Sequence, residues 1–319
     1  MSVKYSIIIP VYNESEVIRE TYNRLLTVMN QTKQSYELIF VNDGSTDTTA
    51  AIIREFIAKD KNVKLIDLSR NFGHQIAISA GMDSASGDAI VIIDADLQDP
   101  PEVILQMIEK WKEGYEVVYG KRIKRKGESF FKNITAKLYY RLLKQMTSVD
   151  IPVDTGDFRL IDKKVREVFL TLTEKNRYVR GLISWAGFKQ TAVEYVRDER
   201  FAGTTKYPLK KMIKFALDGI TSFSNKPLKL AIYTGMALSA LSFIYLLVVV
   251  IQKLFTYTTI IGWASIIAVY LFFNGIILMF LGIIGEYIGR IYEEAKNRPL
   301  YVIREKIGFD NEGDENGKY

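Results

Sequence analysis

Short apolar runs and longer amphipathic stretches alternate through the first third of the chain. Tyr5–Ile9 is rich in β-branched residues and stops at Pro10, which predicts a strand. From Glu14 to Asn30 the apolar residues Val17, Ile18, Leu25, Leu26 and Val28 recur at helical spacing. Glu37–Val41 reads as a second strand, closed by the turn residues Asn42, Asp43, Gly44 and Ser45. Ala50–Ala58 predicts a helix and Val63–Leu68 a strand. Phe72–Ala85, carrying Gly73, Ala77, Ala80, Gly81 and Ala85, predicts a closely packed helix. A strand at Ile90–Ile93, a helix at Glu102–Lys112 and a strand at Glu116–Tyr119 complete the series. Such alternation predicts an α/β fold with a Rossmann-like, mostly parallel sheet covered on both faces.

The pattern then changes. Lys121–Lys126, KRIKRK, is a run of positive charge, and Phe131, Ile134, Leu138, Leu142 and Met146 follow at helical spacing between basic residues. Ile151–Leu160, IPVDTGDFRL, reads as a polar, turn-rich loop. Helices near Lys163–Leu172 and Arg177–Ala186, a strand at Thr191–Val196 and the basic loop Arg197–Tyr207 come next. Leu209, Met212, Ile213, Ala216, Leu217 and Ile220 form a second apolar stripe, opposed by Lys210, Lys211 and Lys214. It directly precedes a strongly apolar region, so both basic amphipathic helices are expected at a membrane surface.

Leu230–Ile251 and Ile260–Gly285 are uncharged and each is long enough to span a bilayer. Lys226 and Lys229 precede the first; Arg290, Lys296 and Arg298 follow the second. This bias predicts an integral membrane protein with both termini, and the α/β domain that precedes the helices, in the cytoplasm. Gly282, Gly285 and Gly289 offer a surface for close helix packing. The expected organisation is an α/β core over 1–120, a basic part with the amphipathic interface helices over 121–227, two transmembrane helices over 228–289 and a cytoplasmic tail over 290–319. Asp310–Tyr319 is polar and expected to be disordered. Two membrane helices bury little surface, which leaves room for a homo-oligomer.

Composition narrows the chemistry. The 319 residues carry a formal charge of +6, favouring phosphate-bearing partners or an anionic membrane surface. Nucleic acid would explain the charge, but two spans flanked by basic helices explain it better, so no nucleic-acid partner is expected. The chain has no cysteine and one histidine, His74, which excludes disulfides, thiolate metal sites and cysteine nucleophiles. A catalytic triad or multi-histidine zinc site has little to draw on. The apolar run at the N-terminus is too short for a secretory signal.

The candidate chemistry lies in Ile90–Glu102, IVIIDADLQDPPE. A buried-type strand ends in Asp94 and Asp96, followed by Gln98, at the sheet edge where open α/β folds bind ligands. Such oxygens suit Mg²⁺ or Mn²⁺ shared with a diphosphate. Asp99, with Pro100, Pro101 and Glu102, reads instead as a helix N-cap with its capping-box partner. Asp43 is either a turn residue or a base contact. Asp157, in TGDFRL, is a candidate active-site carboxylate, while Arg159 is expected to pair with Asp154. His74 has no assigned role beyond packing. Neither G-x-G-x-x-G after the first strand nor a P-loop occurs.

Taken in order, IIIPVYNE, VNDGSTD, SRNFGHQIAISAG, DADLQDPPE and RFAGTTKY resemble family 2 glycosyltransferases of the dolichol-phosphate mannosyltransferase type. The two terminal helices make the resemblance strongest to bacterial polyprenyl-phosphate (bactoprenol, undecaprenyl-phosphate) glucosyltransferases. That resemblance implies a GT-A fold, a nucleotide-sugar donor with UDP-glucose favoured, a divalent metal and a polyprenyl phosphate acceptor. It implies that Pro10, Tyr12 and Glu14 line the nucleotide and that Asp43 reads the base. Asn42 stands where the family commonly has a first acid, so no role carries to it. The resemblance further implies that Asp94, Asp96 and Gln98 hold the donor diphosphate through metal, and that Arg122, Arg200 and Lys206 handle phosphates. Thr205 replaces the usual serine and keeps a hydroxyl.

Inverting single displacement is the family's mechanism, with Asp96 and Asp157 as the expected catalytic carboxylates. The acceptor phosphate has a second pKa near ~6 and is already largely dianionic, so a strong base is not obligatory. Arg122, Arg125, Arg200 and Lys206 suit the task of relieving repulsion between acceptor and donor. The competing readings are a GDP-mannose-dependent mannosyltransferase, a processive synthase and a non-catalytic membrane sensor. None of Trp111, Trp185 or Trp263 lies in the Q-x-x-R-W motif a processive synthase carries.

Overall fold

The computed structural model describes residues 3–123, 152, 155–196, 226–256 and 263–309. These run β1 (Tyr5–Val11), α1 (Ile18–Gln31), β2 (Tyr36–Asn42), α2 (Thr49–Ile57), β3 (Val63–Leu68), α3 (His74–Ser84), β4 (Ala89–Ile92), α4 (Val103–Lys112) and β5 (Val117–Arg122). Then come β6 (Thr155–Asp162), α5 (Lys163–Thr171), α6 (Val179–Trp185), β7 (Gln190–Tyr195), α7 (Lys226–Thr256), α8 (Trp263–Ala295) and β8 (Ile303–Ile307). The strands form one eight-stranded sheet in the order β7-β5-β6-β4-β1-β2-β3-β8. Pairings among β4, β1, β2 and β3, and between β5 and β7, are parallel, whereas β6 and β8 pair antiparallel to their neighbours.

Alternation along the strands divides the core into two layers. Ile7, Ile9, Leu38, Phe40, Leu65, Val91 and Phe158 pack toward α1, α2 and α4. Ile8, Ile39, Val41, Ile66, Ile90, Ile92 and Ile161 pack toward α3, α5 and α6. Both faces are apolar, which is why these strands read as near-continuous hydrophobic runs. Gly81 in α3 is required by that layering: a Cβ there would lie 2.3 Å from a methyl of Ile8.

Two expectations are corrected here. Ile151–Leu160 is not a loop: from Thr155 it becomes β6, inserted between β4 and β5. Its polar residues suggested exposure, yet Asp157 and Arg159 are buried because each has internal partners. Arg159 donates to the carbonyls of Gly156 and Asp157; Asp154 lies outside the described residues. The second correction concerns the tail, which does not simply leave α8. Ile303–Ile307 returns as β8 and covers the free edge of β3, where an unpaired strand would otherwise offer its backbone to other chains.

The helices α7 and α8 contact each other and expose apolar side chains, among them Ile232, Met236, Phe243, Phe272, Leu278 and Ile288. The expected Leu230–Ile251 lies within α7. Among the described residues one stretch, Phe272–Ala295, is long and apolar enough to cross a membrane, and none of it is buried. A Cβ on Gly282, Gly285 or Gly289 would meet nothing within 4 Å, so among the described residues these glycines do not set the helix approach. The expected basic helices of 131–146 and 209–220 lie outside the described residues, as does 310–319.

At the opposite end of the sheet from the acidic strand ends, Glu37 is buried against Lys64, whose Nζ lies 2.6 Å away. Ser6 and Ser86 also donate to it. Burial pushes this carboxyl up, but Lys64, Ser6 and Ser86 outweigh it and hold the group below its usual value of 4.5. Its contribution to folding is therefore complete above that value and lost as pH falls below it. Glu37→Gln, which strands Lys64, is expected to cost about 3 kcal/mol at neutral pH. Thermal unfolding should show the gap between the two proteins closing as pH drops through the acidic range.

Candidate active site

The parallel strands present their carboxyl ends along one edge of the sheet, and the loops there are cross-linked before any ligand is considered. After β1, Asn13 adopts φ 53° and its N–H donates to Ser45 Oγ at 2.9 Å, while its side-chain oxygen accepts from the Thr46 N–H at 2.8 Å. The Glu14 N–H donates to Thr49 Oγ1 at 2.9 Å. Of the residues expected to line the nucleotide, Tyr12 and Glu14 thus flank the loop that is tied to the turn after β2. Pro10 is inside β1 and buried; Tyr12 is exposed.

Asp43, Asp94 and Asp157 follow strands β2 and β4 or lie on β6, and all three turn toward the N-terminus of α3. Asp43 accepts N–H bonds from Phe72 (2.7 Å) and Gly73 (3.0 Å). Burial nevertheless pushes its carboxyl above the usual range, against those two donors. His74, the first residue of α3, places Nε2 at 3.4 Å from both Asp94 and Asp157. Asp157 also accepts from Gln75 Nε2 at 2.8 Å and lies 3.3 Å from Arg180 Nε. Gln75 is itself fixed, because its side-chain oxygen accepts from the Val179 N–H.

The three ionisable groups separate sharply. Burial opposes charge on Asp157, but Arg180 and His74 overcome it and hold the carboxyl far below its usual range. Burial pushes the Asp94 carboxyl up to about 6, helped by Asp99, Asp157 and Asp96 and resisted by His74. Burial disfavours the His74 imidazolium, yet Asp94 and Asp157 raise it to about 9. Asp157 is therefore a fixed anion that steadies a protonated His74, and a poor proton acceptor.

The acidic loop is set by its own backbone and by α1. Buried Thr21 donates to the Ala95 carbonyl at 2.7 Å. Leu97 turns the chain at φ 57°, and the Gln98 N–H donates back to Asp96 Oδ1 at 3.1 Å. Among the described residues no three His, Asp or Glu side chains form a ready-made metal cage. The donor set still fits a hard cation. Asp94 Oδ1 is buried and makes no hydrogen bond, and Mg²⁺ commonly takes one or two carboxylates with the rest of its shell from substrate phosphate and water.

Asp99 is corrected. It does not cap α4, which starts at Val103 with no side-chain cap bond, and Glu102 pairs with Arg24 at 2.6 Å instead. Asp99 is 1% exposed. It receives Arg122 Nη2 at 3.2 Å and the Tyr195 hydroxyl, while Arg122 Nε points at the same hydroxyl from 3.3 Å. Gly156 makes room for this guanidinium, since a Cβ there would stand 2.6 Å from Nη2. The glycine in TGDFRL is thus a requirement of Arg122, and its neighbour Asp157 faces the opposite side of the sheet.

Arg122 and Asp157 are hence positioned by the same strand. Arg125, Arg200 and Lys206 lie outside the described residues. His74, Gln75, Arg180, Asp99 and Tyr195 had no functional assignment in the sequence. For His74 a signal existed: a helix that follows β3 must begin at the same sheet edge on which β4 ends. Arg180 and Tyr195 carried none, because Asp157, the partner of Arg180, had been placed on a loop, and Asp99, the partner of Tyr195, in a helix cap.

Known proteins resemble the chain over nearly its whole length. The family model described as Glycosyl transferase family 2 matches residues 6–169, and the one described as GtrB C-terminal hairpin matches residues 226–291. The chain is 65% identical over 309 residues to an uncharacterized glycosyltransferase of Bacillus subtilis, YkcC, covering 97% of this chain and 96% of that protein. It is 44% identical over 310 residues to an uncharacterized glycosyltransferase of Synechocystis, sll0501, covering 97% and 98%. It is 41% identical over 302 residues to the SfII prophage-derived bactoprenol glucosyl transferase of Shigella flexneri, covering 95% and 98%. With its strand-end acids, its two-layered core and its helical hairpin all inside these matches, the chain belongs to glycosyl transferase family 2.

Proposed function

We propose that this glycosyltransferase moves a hexose, glucose from UDP-glucose, onto polyprenyl phosphate at the cytoplasmic face of a membrane, inverting the anomeric carbon. The observation that carries the reading is the convergence of Asp43, Asp94 and Asp157 around the start of α3, with Asp96 and Arg122 at the same edge. The relatives named bactoprenol glucosyl transferases support glucose and the lipid acceptor.

The residues divide the work. Tyr12, Glu14 and Asp43 lie where the nucleotide would rest, and Asp94, Asp96 and Gln98 would hold Mg²⁺ or Mn²⁺. That cation, when bound, neutralises charge building on the departing diphosphate. The lipid phosphate arrives as a dianion and needs positioning rather than deprotonation. This agrees with Asp157, which Arg180 keeps ionised and unsuited to take a proton. Arg122, already tethered to Asp99, offers a guanidinium whose direction is fixed before phosphate binds. Arg125, Arg200 and Lys206 would complete the acceptor side.

Membrane placement follows from the hairpin. It leaves the catalytic domain at Lys226 and returns to it at β8, so both ends of the α7–α8 pair belong to one side. Exposed apolar faces on both helices support two spans, and Lys226, Lys229, Arg290, Lys296 and Arg298 favour the cytoplasm as that side.

Purified enzyme is expected to release UDP from UDP-glucose only when undecaprenyl phosphate and Mg²⁺ or Mn²⁺ are present, and EDTA should stop release. Turnover with GDP-mannose in preference would replace the donor, and turnover in EDTA would remove the metal. Asp96→Asn should lower turnover by at least about 10²-fold. Asp157→Asn should lower turnover by about 10²-fold through misplaced His74 and Gln75 while UDP still binds. Near-normal turnover in Asp157→Asn would take that carboxylate out of the mechanism.

A further inference from the structure

Beside the β8–β3 pairing, the end of α8 and the tail beyond it are bound to the catalytic domain at several places, among them Glu294, Tyr301, Glu305 and the Val302–Arg304 segment. The Lys175 N–H donates to Glu294 at 2.6 Å, and the Tyr301 hydroxyl donates to Asp83 at 2.5 Å. Glu305 pairs with Arg54 at 2.7 Å. The fourth contact is the one that reaches the site. Ser69, just past β3, uses both of its backbone groups on the tail: its N–H donates to the Val302 carbonyl at 2.9 Å, and its carbonyl accepts from Arg304 Nη2 at 2.8 Å. Arg304 Nη1 also lies 3.5 Å from buried Asp67, whose other oxygen accepts from Asn42 Nδ2 at 2.7 Å.

Ser69 opens the segment Arg70–Gly73, and that segment ends in the two N–H groups that grip Asp43. It also lies directly on the following turn. Gly44 has φ 68°, and a Cβ there would stand 2.4 Å from the Arg70 carbonyl carbon and 2.6 Å from the Asn71 nitrogen. The two loops therefore touch through backbone, and a displacement of one moves the other. Arg304 holds the pair from both sides: through Ser69 it fixes the loop that binds Asp43, and through Asp67 it fixes Asn42, the residue before Asp43.

We infer that Arg304, on the strand that follows the helical hairpin, is a positioning residue for the nucleotide end of the donor site. It touches no substrate. It acts by fixing the backbone that orients Asp43, so the hairpin's far end and donor binding are mechanically connected. The inference rests on the reading of Asp43 as a nucleotide contact.

The test compares full-length Arg304→Ala, Arg304→Lys, Tyr301→Phe and Asp43→Asn with the parent protein in detergent, measuring UDP binding by calorimetry and steady-state kinetics with both substrates varied. Arg304→Ala should raise the UDP Kd and the donor KM by about tenfold, the scale of one lost charge-assisted contact. Its kcat at saturating donor and its acceptor KM should stay within about twofold of the parent. Arg304→Lys, which keeps one donor, should recover most of the affinity. Tyr301→Phe loosens the same tail at Asp83 and should leave the donor KM unchanged. Unaltered UDP affinity in Arg304→Ala, alongside weakened binding in Asp43→Asn, would overturn the inference and spare the reading of Asp43. Unaltered affinity in Asp43→Asn would overturn both. A donor KM that rises equally in Tyr301→Phe and Arg304→Ala, in step with a lowered melting temperature, would reduce Arg304 to general stability and also overturn it.

Discussion

Three carboxylates that must share one partly buried crevice set the terms for the rest of this structure. Asp43, Asp94 and Asp157 come from three different strands, and nothing about a parallel sheet keeps their charges apart. Each is met by a different solution. Asp43 is given backbone N–H donors at the start of α3, Asp157 is given Arg180 and Gln75, and Asp94 shares His74 with Asp157. The unequal treatment has a chemical result. Asp157 is fully committed as an anion, whereas Asp94 retains an oxygen with no hydrogen bond, the arrangement expected where a cation and a diphosphate would complete the set. Electrostatic compensation within the crevice and readiness for a cation with its anionic partner are two aspects of one arrangement.

Around that crevice the sheet assigns roles by face. The side carrying α3, α5 and α6 bears Asp43, Asp94, Asp157 and His74. The opposite side bears Arg122, Asp99 and Tyr195, with Gly156 as the gap through which the guanidinium fits. One strand, β6, contributes to both because neighbouring residues point in opposite directions. On the proposed reading, a phosphate approaching Arg122 and a sugar nucleotide resting on Asp43 would meet at the strand ends, without either set of side chains having to cross the core.

Apolar periodicity made most of the frame readable. Val63–Leu68 was expected at the boundaries it has, and the remaining parallel strands and their helices fell within a few residues, because both faces of those strands are buried in hydrocarbon. β6 escaped because a strand rich in Gly, Asp, Thr and Arg looks like a loop unless one knows which charges it will neutralise. Asp99 was misassigned for the related reason that a short-range capping motif and a long-range ion pair use the same residue type. β8 escaped because its exposed sequence, IREKI, has no buried face of its own to announce it. The acids of IVIIDADLQDPPE were legible since a strand ending in charge is a local signal; Arg180 and Tyr195 were not, since their meaning depends on chain segments far away.

The position of β8 also bears on how the protein is made. The strand that finishes the sheet is separated from its partner β3 by more than two hundred residues, including both hairpin helices. During synthesis the sheet edge at β3 stays open until β8, which follows both helices, leaves the ribosome. The order of events is thus built into the chain: the hairpin is complete before the domain is closed. A molecule whose helices have gone astray would be left with an unsealed sheet edge, a feature that quality-control machinery and aggregation both act upon.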